Sequence, residues 1–172
     1  MNDYPHVTDR NRLRSAYLEL LSRYPLQWFC TLTFRDSVHP EQAFKAFRVW
    51  TNEINRQLYG RRWHKRGDGI YWVLAWEYQQ RGALHFHALL GDVRDLNTRV
   101  WRLERMDRWH ELAGIARVED IKGHAAVERY VSKYVVKGGQ LDFSRSLTAF
   151  AHQPSLSDPR GTTAAGALLC SP

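Results

Sequence analysis

Apolar and polar positions along the chain follow two different periods. Over 8–24, Leu13, Ala16, Leu20 and Tyr24 recur at three- and four-residue steps, with Tyr17 and Leu21 beside them. That spacing puts side chains on one face of a helix. Thr8 or Asp9 can cap its start and Pro25 stops it. A second helix is predicted over 40–59. Pro40 suits the first helical position, Ala43, Phe47, Trp50, Ile54 and Leu58 form one apolar stripe, and Gly60 ends it. A third helix, over 95–113, has Leu96, Val100, Leu103 and Met106 as its expected inward face. A fourth, over 125–137, stops at Gly138-Gly139. Short runs rich in aromatic and β-branched residues lie between these helices and read as strands: 27–34, 71–78, 83–90 and the brief 117–121.

The strands over 71–78 and 83–90 are close enough to pair as a hairpin. A three-residue loop, Gln80-Arg81-Gly82, with glycine in its last, left-handed position pairs Gln79 with Ala83 and Glu77 with His85. Residues directly across a hairpin share a face, and so do residues two apart on one strand. In this register Glu77, His85 and His87 form a carboxylate and two imidazoles on one side of the sheet. A slip of one residue would send Glu77 to the other side. This donor set suits a hard or borderline divalent metal such as Mn²⁺ or Mg²⁺.

The helix over 125–137 carries the second chemical grouping. At about 100° per residue, Tyr130, Lys133, Tyr134 and Lys137 fall in one stripe, and Val127, Val131 and Val135 form the adjoining apolar one. The helix can pack by its valines and present two phenols and two ammoniums together. A phenol, with its free pKa near 10, needs a cation or a metal beside it to act as a nucleophile. Metal and tyrosines together point to attack on a phosphate, leaving a covalent phosphotyrosine.

Composition narrows the partner. The chain of 172 residues carries 25 Lys and Arg against 18 Asp and Glu. Its pI is near 9.7, which favours a polyanion, most simply nucleic acid. The loop over 61–69 concentrates this charge in Arg61, Arg62, Lys65 and Arg66, with Trp63 among them. Such a loop can clamp phosphates and stack one base. Arg99, Arg102, Arg105 and Arg108 recur every third residue and form a basic ridge, either a solvated face or a phosphate track. Cys30 and Cys170 are too few and too far apart for a disulfide framework, so a reducing, cytoplasmic setting is expected. No apolar run is long enough to span a membrane, and the first residues lack the apolar core of a signal peptide.

Three motifs occur in a familiar order: Phe29-Cys30-Thr31-Leu32-Thr33-Phe34, then His85-Phe86-His87, then Tyr130-Val131-Ser132-Lys133-Tyr134. In this the chain resembles the HUH endonucleases, specifically rolling-circle replication initiators of the two-tyrosine, phage-like type. The resemblance spans roughly residues 26 to 140. It implies an α+β fold with a central antiparallel sheet of the ferredoxin/RRM-like kind, helices packed on it, and a catalytic tyrosine helix. It implies His85 and His87 as metal ligands with Glu77 as the third, and Mn²⁺ or Mg²⁺ as cofactor. It implies Tyr130 as first nucleophile, Tyr134 as second, and Lys133 beside them. The expected reaction is site-specific nicking and strand transfer of single-stranded DNA, through a 5′-phosphotyrosine and a free 3′-hydroxyl, to initiate rolling-circle replication. DNA contacts are expected from Arg61, Arg62, Trp63, Lys65, Arg66 and Lys137. The substrate is an origin or nick site, with or without a hairpin.

The chain has no Walker-type loop, so it either recruits a host or separate helicase, the expected partner, or is a fragment of a longer protein. Residues 1–140 are read as the nuclease domain. Residues 141–172, rich in Ser, Ala, Thr and Gly, are read as a loosely ordered extension. Three other readings remain. A transposase or relaxase would share the chemistry. A non-catalytic single-strand-binding module would use the sheet aromatics and leave Glu77, His85, His87 and the tyrosines without a role. A zinc-dependent hydrolase would use the histidines alone.

Overall fold

The computed structural model describes residues 7–78, 82–93, 96–136 and 141–147. In chain order the elements are α1 (Val7–Ser22), β1 (Leu26–Phe34), α2 (Pro40–Tyr59), α3 (Trp63–Arg66), β2 (Tyr71–Tyr78), β3 (Leu84–Gly91), α4 (Arg99–Leu112), β4 (Gly114–Asp120), α5 (His124–Val136) and β5 (Leu141–Phe143). The five strands form one antiparallel sheet in the order β4-β1-β3-β2-β5. The fold is therefore α+β, as expected.

Strand alternation divides the side chains between two layers. One face carries Trp28, Cys30, Leu32 and Phe34 of β1, Phe86, Ala88 and Leu90 of β3 and Leu74 of β2, all buried. α2 covers it with Phe47, Trp50 and Ile54, and α4 with Trp109. Aromatic rings meet edge to face here, Phe34 on Phe86 at 5.2 Å and Phe47 on Trp72 at 5.2 Å. Each fully buried indole also finds an acceptor. Trp28 Nε1 donates to Asn97 Oδ1, Trp50 Nε1 to the Arg105 carbonyl and Trp109 Nε1 to the Thr33 carbonyl. Truncating any of the three to alanine would cost about 3–5 kcal/mol.

The opposite face carries Val73, Ala75 and Leu89, which α1 and α5 cover with Leu21, Val127 and Val131. The cover does not reach all of β4, where Ile115 stays 67% exposed.

Two sequence expectations change. On α4, Val100 and Leu103 are exposed rather than inward. Met106 meets the core as expected, and Trp101, Trp109 and Leu112 join it there. An Arg105 side chain only 13% exposed lies between them, its guanidinium 5.8 Å from the Trp101 ring. The second change is at residues 141–147, read as the start of a loose extension. Leu141, Asp142 and Phe143 pair with Ala75, Leu74 and Val73 of β2, and Leu147 is fully buried. Three residues are too few to show a strand period. Residues 148–172 lie outside the described residues.

Candidate active site

The hairpin register sets the site. Glu77 stands directly across from His85 and Ala75 from His87, and Gly82 has φ 74°, the left-handed conformation that closes such a loop. Gln79, Gln80 and Arg81 lie outside the described residues. β3 is central, so β1 flanks it on the other side, pairing Thr33 with His85 and Thr31 with His87. Five polar side chains thus share one patch of the sheet, with Arg117 of β4 directly across from Thr31.

Their contacts give each imidazole a defined orientation. Thr33 Oγ1 lies 3.2 Å from Nδ1 of His85, and Thr31 Oγ1 3.4 Å from Nδ1 of His87. Nε2 of His87 lies 3.2 Å from Oε1 of Glu77. Burial pushes both histidines below the ordinary imidazole pKa. For His87 the Lys133 ammonium adds to that shift, and for both the Glu77 carboxylate opposes it. At neutral pH both rings are therefore the uncharged form that binds metals. Among the described residues, no three or more His, Cys, Asp or Glu side chains close into a metal-binding cluster.

α5 brings the tyrosines over this patch, and the two phenols have different surroundings. Tyr130 is buried and its hydroxyl donates to the His87 carbonyl at 2.8 Å. Burial, then the neighbouring Tyr134, raises its pKa well above the usual phenol value. The Tyr134 ring is also packed, 4.9 Å from the Tyr130 ring and 5.7 Å from His87. Its hydroxyl, however, accepts from Lys133 Nζ at 3.0 Å, and the same ammonium reaches Glu77 Oε1 at 3.2 Å. Burial, then the Glu77 carboxylate, raises the Tyr134 pKa, so this phenol is protonated at rest. Lys133 thus links the second tyrosine to the carboxylate of the histidine patch.

The basic loop is elsewhere. α3 precedes β2 at Tyr71, whereas Glu77 lies six residues further on, about 20 Å along the strand. Arg61, Arg62 and Lys65 are exposed there. Arg66 is paired with Asp68 and donates to the Tyr59 carbonyl, and Trp63 is half-buried against Gly69. Lys137 lies outside the described residues. The arginine ridge is largely engaged within the fold. Arg108 makes two hydrogen bonds to Glu53 and one to Glu111, and Arg102 donates to Asn97.

Sequence reasoning passed over Thr31 and Thr33 as site residues. Their signal was available: two threonines two apart, alternating with buried Cys30, Leu32 and Phe34, must face the opposite side of the strand.

The family model for the replication-associated protein ORF2 matches residues 27–139, from β1 through α5. No curated protein matches the chain. Among solved structures, the chain is similar to the crystal structure of the hypothetical protein ORF119 from Sulfolobus islandicus rod-shaped virus 1. The identity is 17%, over 72% of this chain and 90% of that chain, with a TM-score of 0.41.

Proposed function

We propose that this chain, which belongs to the replication-associated protein ORF2 family, initiates replication by nicking single-stranded DNA through a covalent phosphotyrosine. The observation that carries this reading is the Lys133 bridge, which ties the Tyr134 phenol to the Glu77–His87 pair. A nucleophile and a phosphate-organising centre then lie side by side. The reading is of the HUH endonuclease type.

His85, His87 and Glu77 are the residues that would hold a divalent cation. Two neutral imidazoles and a carboxylate suit Mn²⁺ or Mg²⁺; Thr33 lies at Nδ1 of His85, and His87 turns Nε2 to the Glu77 carboxylate that would share the ion. The bound ion would supply Lewis-acid polarisation of the scissile phosphate.

Tyr134 is the nucleophile in this reading, reversing the order expected from the resemblance, in which Tyr130 acts first. Both rings are buried, but the Tyr130 hydroxyl is spent on the His87 carbonyl whereas that of Tyr134 meets the Lys133 ammonium. Lys133 stabilises the phenolate as Tyr134 gives up its proton to water. The bond from Tyr134 Oη to phosphorus forms while the bond from phosphorus to the 3′ oxygen breaks. That oxygen takes a proton from water and leaves as a 3′-hydroxyl, and the 5′-phosphate remains esterified to Tyr134. Attack by a 3′-hydroxyl reverses the step and joins strands. Exposed Arg61, Arg62 and Lys65 lie too far from Glu77 to touch the reacting phosphate and serve the flanking DNA instead.

The test is a denaturing gel of the protein with random-sequence single-stranded DNA and Mn²⁺. An SDS-resistant adduct, present in wild type and Tyr130→Phe and absent in Tyr134→Phe, is expected. Loss only in Tyr130→Phe would restore the other order. DNA binding with no adduct on any DNA would leave a non-catalytic binding module.

A further inference from the structure

A cavity of about 660 Å³ opens from the tyrosine patch into the space between α5 and the β1–β4 half of the sheet. Tyr134, Lys133 and His87 form one wall, so whatever occupies it is in contact with the residues placed at the reaction centre. The floor is apolar: Phe29, Leu89 and Ile121. The Phe29 ring is half-buried and lies nearly parallel to the His87 ring, 6.2 Å away with 16° between the planes. The mouth is charged. Arg129, Lys122 and Asp120 line it and are exposed, Asp120 accepting from Asn97 Nδ2 at 3.1 Å. Glu119 stands on the β4 side, paired with Phe29 across the strands and held by Arg117 at 2.9 Å.

These groups fit one ligand chemistry. An apolar floor with an aromatic wall accepts a flat ring, and cations at the mouth accept the phosphates on either side of it. A carboxylate inside a DNA-binding site repels phosphate, but it accepts from the exocyclic amine of a base. Cytosine and adenine offer such an amine on their pairing edge and thymine does not.

We propose that this cavity is a nucleobase subsite, which receives the base of a nucleotide beside the scissile phosphate and selects one bearing an exocyclic amine through Glu119. The subsite rests on the nicking reading for its placement beside the cut, and its binding preference can be measured without any cleavage. It gives a nuclease of this size a means of choosing where to cut, at the reaction centre rather than at the basic loop at the far end of β2.

The experiment uses the full chain and a single-stranded DNA library with a random core. Two pools are sequenced, the strands retained by binding without metal and the strands recovered as covalent adducts with Mn²⁺. Wild type should deplete thymine about fivefold or more at one position in the binding pool, the size of a single base contact. The same position should fall within two or so nucleotides of the junction in the adduct pool. Glu119→Gln should lose the depletion while still binding DNA, and Phe29→Leu should weaken it. Binding without any thymine-depleted position in wild type overturns the subsite, as does a preference that survives unchanged in Glu119→Gln. A binding preference that Glu119→Gln erases, with no adduct from any strand, keeps the subsite and overturns the nicking reading.

Discussion

Thr33 and His85 face each other across β1 and β3, with Oγ1 3.2 Å from Nδ1. With Nδ1–H donating to that hydroxyl, Nε2 would be the lone-pair nitrogen open to the cation of the proposed mechanism. Thr33→Val keeps the shape and removes the acceptor. We expect it to weaken Mn²⁺ binding about tenfold by calorimetry, the usual size for a lost partner of a metal-bound imidazole. Thr33→Ser should restore most of the affinity. Equal affinity in the valine and wild-type proteins would exclude this role for Thr33.

Tyr130 is expected to matter for stability more than for chemistry. Its hydroxyl donates to the carbonyl of His87 in the central strand. Tyr130→Phe removes one buried hydrogen bond, a loss of about 1 kcal/mol in urea unfolding. Adduct formation should stay within a few-fold of wild type, whereas Tyr134→Phe should abolish it with little change in the unfolding midpoint.

The Glu53–Arg108 pair joins α2 to α4 at 2.7 Å. The hydrogen bond from Arg108 is the largest influence on Glu53 and holds its carboxyl below the usual range. A carboxyl with a depressed pKa in the folded state stabilises it above the unfolded pKa, and that contribution is lost as pH falls through the folded value. Glu53→Gln should therefore cost about 0.5–1 kcal/mol at pH 7, since both side chains are partly solvated. The gap between variant and wild type should close below about pH 4. A gap that persists unchanged at low pH would assign the effect to packing instead.

Gly114 begins β4 where it meets the end of β1. A Cβ there would lie 2.2 Å from the Thr33 carbonyl oxygen and 2.7 Å from the Arg35 nitrogen, both backbone atoms that cannot step aside. Gly114→Ala should destabilise the fold by about 3 kcal/mol or more, at the upper end for overpacking. A melting temperature unchanged from wild type would contradict the close approach.

The exposed cations near α3 should act on DNA at a distance from the cut. Replacing Arg61, Arg62 and Lys65 together by alanine should lower affinity and reduce the salt slope by about 2 for single strands. The adduct rate at saturating DNA should not change. A slower rate at saturation would bring the loop to the reacting phosphate.

How far the sequence carried these assignments depended on the distance between partners. Glu77, His85 and His87 sit on one hairpin, so loop length and the two-residue strand period were enough to bring them together. Thr31 and Thr33 are more than fifty residues from their histidines, and only the sheet order reveals that β1 lies beside β3. On α4, Val100 and Leu103 match a hydrophobic stripe, yet the larger surfaces of Trp101 and Trp109 and the stem of Arg105 decide which face is buried. For α5, spacing grouped the two tyrosines correctly. It could not distinguish a phenol bound to a main-chain carbonyl from one bound to an ammonium, because both are buried and only the tertiary partners of each hydroxyl differ.

Strand β3 alternates between two duties. Leu84, Phe86, Ala88 and Leu90 fill the layer beneath α2 and α4, while His85 and His87 face the tyrosines. Both edges of the strand are paired in unbroken register over 85–90. A one-residue change of length left uncompensated there would exchange the two sets from that point on, turning imidazoles into the core and a phenyl ring toward the tyrosines. Substitution keeps the two faces distinct, whereas a change of length does so only beside a compensating bulge, such as the register shift between Leu26 and Trp28 of the doubly paired β1.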